Sequence, residues 1–489
     1  MNELLSKGVI ESLIETACQV VIEKGISTRN TELQEAANKN EFLMVRNGRI
    51  YPSKEWLAET IKHLKQNNIA TVEGQYTNQH GWPDMLVDCN ADNNLIVKLT
   101  DLPYQFCDHR ERKIIPLTRN HTIEGTKLLH VLSEKKGIRG YSCGVPQDTA
   151  DVLKPIEQYL IGFRYNKNGG ATIQAISPEV EAEFAQIRAI AEGRTDVETR
   201  ELMLFSPSPM ILDADDLYQC FKSNITISRF MVGSMPMMGM TGPVDPIGSY
   251  TLALAESLGA AAILHALLPQ AKAYIYPHPQ AMDLRSGQMA FGTVEHARLE
   301  MIKIQVMKSL GLPYYNLKDI MTSAQMPGSM AQGDKALGIY TGVMAGYKAF
   351  NLMPLSTDQI WSPVQALLDI EATQNAWNTI QPLQNEVAVS NAIETISEVI
   401  DNGYLFAETA DTLMNMHENY DMDVLHNRFF SSEVWATGGK PHELNAVEEK
   451  SFGLIDSWNF RPEQHKLESV IDIYSKLCKR YNATPLPLD

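Results

Sequence analysis

No two of the six cysteines, Cys18, Cys89, Cys107, Cys143, Cys220 and Cys478, form a Cys-x-x-Cys pair, and no close Cys/His cluster has zinc-site spacing. That spacing supplies neither a zinc-ligand set nor a disulfide framework, and it fits the reducing cytoplasm. A nucleic-acid binder is disfavoured as well: the net charge is −17 over 489 residues, and no clustered Lys/Arg patch opposes it. The same negative field favours the approach of cationic ligands. An uninterrupted apolar leader is also missing, since Glu3, Lys7 and Glu11 break the first segment into an amphipathic helical pattern. The longest apolar run, Ile247 to Leu268, contains Ser249, Glu256, Ser257 and His265, so it reads as a buried helix of a globular protein and not a bilayer span. Finally, no Gly-x-Gly-x-x-Gly follows an apolar run, which removes the signature of a dinucleotide-binding doubly wound sheet.

What is present is ordinary globular composition, 44% hydrophobic and 21% charged, on a chain longer than one core usually serves. Residues 1–120 read as a mostly helical or mixed extension, with helices over Leu4 to Ile22, stopped by Gly25, and Ser53 to Gln66, opened by Ser-x-x-Trp. From about His121 short apolar runs alternate with helical segments, the pattern of parallel strands joined by helical crossovers. Seven strands are legible: Ile138 to Val145, Ala171 to Ile176, Leu202 to Ser206, Phe230 to Met235, Ala273 to Tyr276, Pro313 to Leu317 and Ala349 to Met353. Helices follow at Pro178 to Ala191, Asp215 to Phe221 and Val244 to Leu268. The expected fold is α/β, a (β/α)8 TIM barrel over 121–440 whose eighth strand is not legible, with a helical tail at 441–489 that includes a helix from Gln464 to Tyr481. In such barrels the residues just after each strand carry the chemistry.

Between Phe230 and Gly328 the chain has Met-Val-Gly-Ser-Met-Pro-Met-Met-Gly-Met-Thr-Gly-Pro from Met231, Asp283-Leu-Arg-Ser-Gly287, Phe291-Gly-Thr-Val-Glu295 and Thr322-Ser-Ala-Gln325. This order resembles the trimethylamine methyltransferase family, whose non-pyrrolysine members demethylate betaines. The likeness continues weakly through Leu405-Phe-Ala407 and Thr412-Leu413 to Trp435 and Gly438. It implies transfer of a methyl group from a betaine-like quaternary amine to the cobalt of a corrinoid (cobalamin) on a partner protein. No tightly bound cofactor and no protein metal are then expected, and a homo-oligomer is. A neutral amine leaves without protonation, and the cofactor supplies the nucleophile, so the protein's part is to orient and desolvate the partners.

Aromatic faces for the cation are offered by Tyr141, Phe205, Tyr276, Phe350 and Trp361, each of which also suits core packing. The carboxylate calls for Arg285 or His278; Asp283 and Arg285 equally suit an ion pair within their own loop, and Glu295 follows in the same motif. Met237, Met238, Gly239 and Gly242 either fill the core or border the opening where a flat corrinoid descends. The resemblance places Gln325 where the founding amine enzymes carry pyrrolysine or lysine, Gly328 in place of an acid, Met330 in place of a glutamine and Asn351 in place of a histidine. Gln325 and Asn351 are therefore the candidates for orienting substrate at the barrel mouth, and simple trimethylamine is disfavoured. The departures leave a second reading open, a catalytically silent barrel that binds a quaternary amine. A lyase or phosphate-using barrel is disfavoured because only isolated Gly342 and Gly346 lie near the last strands, where a phosphate loop would be glycine-rich.

Overall fold

The computed structural model describes residues 4–66, 95–99, 102–136, 138–171, 176–177, 179–193, 199–213, 226–312, 317–381, 386–419, 431–438 and 443–488. Two amphipathic helices open the chain: Lys7–Lys24, capped by the Ser6 side chain and stopped at Gly25 with φ 61°, and Lys54–Gln66, begun where Ser53 Oγ accepts from Trp56 N. Both bury Leu13, Ala17, Val21, Leu57 and Leu64 against the helix Pro246–Leu267, whose window of high hydropathy is 78% buried by protein. That helix is the centre of the first core, which explains why most of its residues are apolar and why its Ser249, Glu256, Ser257 and His265 are buried.

Parallel strands form two arcs among the described residues. The first runs Leu317–Ile320, Ala349–Leu352, Ile96–Leu99, Ile138–Arg139, and the second Thr199–Ser206, Thr226–Ser234, Lys272–Pro277. The alternation read from the sequence is thus a parallel α/β architecture. Ile96–Leu99 is the strand that the sequence did not show; it pairs between Ala349–Leu352 and Ile138–Arg139. Of the expected Ile138–Val145 strand only Ile138–Arg139 pairs, and the chain runs on as an irregular segment with Gly144 at φ 154°. Leu317–Ile320 begins where the expected strand ended. The expected Ala171 to Ile176 strand and Asp215 to Phe221 helix fall on 172–175 and 215–221, outside the described residues.

Side chains alternate across a strand, so one neighbour fixes the facing of a whole row. A Cβ placed on Gly342 of the helix Ser329–Ala345 would meet Phe350 at 2.9 Å and Lys318 at 3.2 Å, which sets those two side chains toward the helices. Their strand neighbours therefore face the other way, and register aligns them: Asp319 opposite Asn351, Asn351 opposite Lys98, Lys98 opposite Arg139. In the second arc Phe205, Gly233 and Tyr276 are in register, and the Tyr276 hydroxyl donates to Asp319 Oδ2. All seven thus share one inward row. A buried pair, Lys335 and Asp369, fastens the helices Ser329–Ala345 and Pro363–Thr379, and Lys335 also donates to Met353 O at 2.6 Å.

Candidate functional site

The inward row stands near the C-terminal ends of its strands, and its chemistry changes along its length. Phe205 and Tyr276 meet edge to face at 6.4 Å, with Phe205 still 42% exposed. Gly233 lies between them, and a Cβ there would come within 2.5 Å of the Phe205 ring, so glycine is what lets that ring lie flat over the strand. Beyond Tyr276 come Asp319 and Asn351, 5% and 8% exposed; Asn351 Nδ2 donates to Asp319 Oδ1 at 2.7 Å and to Met353 Sδ at 3.1 Å. Asn351 Oδ1 is buried without a hydrogen-bond partner. Lys98 is next in register and is 6% exposed.

Between the Lys272–Pro277 and Leu317–Ile320 strands a buried charged cluster fills the seam. His278 places Nε2 3.4 Å from Asp319 Oδ2 and Nδ1 3.3 Å from Glu300 Oε1, and Lys303 reaches the same Nδ1 at 3.2 Å. Lys303 and Lys318 lie 3.1 and 3.3 Å from Glu300 Oε2. Burial opposes ionisation of Glu300, yet the two ammonium groups and His278 hold its carboxyl well below the usual range. Burial pulls the Lys318 ammonium down against that same carboxylate. The Tyr276 hydroxyl is pushed well up, by burial first and then by the Asp319 and Glu300 charges, so it stays a neutral donor.

A turn over the strand ends completes the site. Ser356, Thr357 and Asp358 have φ of 50°, 67° and 106°, a run of left-handed conformations that only packing sustains. Ser356 N donates to Ala324 O at 2.8 Å and Thr357 N to Thr322 O at 2.9 Å, which fixes the turn on the loop after Leu317–Ile320. Burial, and secondarily Asp319, raises the Asp358 carboxyl to about 7.

Of the residues singled out from the sequence, the structure gathers Phe205, Tyr276, His278 and Asn351 and scatters the rest. Arg285 leaves 92% of its side chain exposed and pairs with Asp283 at 3.0 Å, the intraloop arrangement that the sequence also allowed. The guanidinium beside it lowers Asp283 to about 2. Glu295 is exposed in the first turn of the helix Val294–Ser309. Phe350 packs against the helices, and Trp361 is buried beside Gly125 and Cys143. Tyr141 is 4% exposed and buried. Gln325 is exposed and donates to Ser323 O at 3.2 Å, with Gly328 capping the next helix and Met330 57% exposed. Met237 to Gly242 form a tight turn in which Met240, Thr241 and Gly242 N–H groups donate to Met237 O; Met238 is buried and Gly239 lies against Leu284. Sequence reasoning missed Asp319, Lys98, Glu300 and Asp358. The available signal was charge inside otherwise apolar strand runs, as in Ile96-Val-Lys-Leu99 and Leu317-Lys-Asp-Ile320.

Parallel strands wrapped by helices define an α/β protein, with polar groups gathered at the strand ends. The chain belongs to the trimethylamine methyltransferase (MTTB) family, whose profile matches residues 1–458. It is 22% identical over 316 residues to the glycine betaine methyltransferase of Desulfitobacterium hafniense (strain Y51), an alignment that spans 63% of each protein. Among solved structures it is similar to the Methanosarcina barkeri monomethylamine methyltransferase, with 12% identity, TM-score 0.42 and coverage of 93% of this chain and 88% of that one. A hydroxylamine complex of the same kind of enzyme gives TM-score 0.43, also at 12% identity.

Proposed function

We propose that this protein transfers a methyl group from a betaine-like quaternary amine to the reduced cobalt of a corrinoid carried by a separate protein in the cytoplasm. The observation that carries this reading is the inward row itself, in which aromatic Phe205 and Tyr276 adjoin the buried Asp319 carboxylate at strand ends. A trimethylated nitrogen offers no N–H, so it is held by ring faces and anionic charge, each face contributing roughly 0.5–2 kcal/mol when desolvated. The two arcs are read as parts of one (β/α)8 barrel whose mouth presents the ammonium outward. The N–CH3 bond breaks with its electron pair left on nitrogen, and the reduced cobalt supplies the pair for the new Co–C bond. No proton moves, so the protein's task is alignment in a dry site.

Tyr276, held by Asp319, keeps one ring rigid; the exposed Phe205 covers the cation, and Asn351 fixes the Asp319 carboxylate in the row. Exposed Met240, Val244 and Leu284, the last packed against Gly239, offer an apolar surface for a flat corrinoid. The test is anaerobic incubation of the chain with glycine betaine and chemically reduced cobalamin, read by absorbance. Growth of the methylcobalamin spectrum is the expected outcome. Calorimetric binding of the amine with no methyl transfer would return the silent-barrel reading.

A further inference from the structure

Lys98 has no part in the chemistry above, yet it is the cation best placed to read the substrate's other end. It faces inward from Ile96–Leu99, in register with Asn351, and is 6% exposed. Among the described residues no hydrogen bond or ion pair reaches its ammonium, unlike Lys303, Lys318 and Lys335, which all lie against carboxylates. The side chain is buried along its length while its ammonium is not among the sealed, unpartnered polar atoms, so it keeps contact with solvent on the inward face and stays open to an anionic ligand. Two positions along the same row stands Asp319, and between them Asn351 gives its amide N–H to Asp319 while its oxygen is unpartnered.

We propose that Lys98 is the carboxylate-binding residue of the site, and that the Asp319–Asn351–Lys98 row selects short zwitterions, with the ammonium at Asp319 and the carboxylate at Lys98. Neighbouring strands are about 4.8 Å apart, so the Asp319 and Lys98 backbones stand roughly 10 Å from one another. A cation of similar size without a carboxylate leaves Lys98 unpaired and binds more weakly. The exposed Arg285, already held by Asp283, takes no part.

This inference rests on the proposed function for the identity of the cation, but its test reads equilibrium binding and not methyl transfer. Calorimetry with glycine betaine, its methyl ester and choline on the unaltered protein should show the free acid bound at least about tenfold more tightly than either carboxylate-free cation. In Lys98→Met and Lys98→Gln that preference should collapse to within about threefold, with choline affinity little changed, while Lys98→Arg keeps it. Equal affinity of the unaltered protein for glycine betaine and its ester overturns the inference without any variant. An undiminished preference in either neutral variant that retains its melting transition overturns it too. If the preference follows Lys98 but no amine methylates reduced cobalamin, the inference stands and the proposed function fails.

Discussion

Asp358 shows how one residue couples the site to pH. Its carboxyl, raised to about 7 by burial and by Asp319, is largely neutral at pH 6 and largely ionised at pH 8. Ionisation adds a negative charge beside Asp319, so affinity for a quaternary ammonium should rise through pH 7, by roughly tenfold if the added attraction is about 1.4 kcal/mol. Binding curves from pH 5.5 to 8.5 check this, and Asp358→Asn should flatten them. In stability the sign is opposite. The unfolded carboxyl ionises near its ordinary value, so the neutral form's contribution is full below about pH 4 and is lost as pH rises through about 7. Gly233→Ala tests the other end of the row. The added methyl displaces the Phe205 ring, and kcat/KM should fall at least about tenfold while the melting temperature changes little. Little of this was legible in the sequence. Aromatic strand ends pointed to Phe205 and Tyr276, whereas Lys98 and Asp319 gain meaning only when register sets them beside Asn351.

Among elements, legibility followed the length of the apolar run. Thr199–Ser206, Thr226–Ser234 and Lys272–Pro277 carry enough β-branched and aromatic residues to announce themselves, and each was found within a few residues of its expected bounds. Ile96–Leu99 has four residues with a lysine inside, too short and too polar a run to stand out from the N-terminal extension. Its strand character comes from pairing on both edges, a tertiary fact. The helix pair Ser329–Ala345 and Pro363–Thr379 offers a sharper test of packing. Lys335→Met leaves the buried Asp369 carboxylate, among the described residues, with Gln365 Nε2 at 2.7 Å as its one remaining side-chain donor, and should cost about 3–5 kcal/mol in denaturant unfolding. Lys335→Met combined with Asp369→Leu should recover most of that loss, since no charge is then stranded.

For the whole molecule, buried neutral histidines set the acid limit. Burial lowers His265 to about 4, with His63 adding to the effect, and lowers His296 to about 3, with Lys318 adding to it. Unfolded histidines take up protons below about pH 6.5 and these folded ones do not, so stability should fall from about pH 6.5 toward 4, by at most about 1.4 kcal/mol per pH unit for each. Denaturant midpoints across that window measure it, and His265→Gln should lessen the slope.

The strand that carries Lys98 also sets a schedule for synthesis. Ile96–Leu99 leaves the ribosome early, but one of its hydrogen-bonded partners, Ala349–Leu352, is translated roughly 250 residues later. Until then Lys98 has only Ile138–Arg139 beside it, and a nascent chain truncated before residue 349 lacks the strand that sets Asn351 next to it. The Asp319–Asn351–Lys98 row is therefore complete only after nearly three-quarters of the chain has been made.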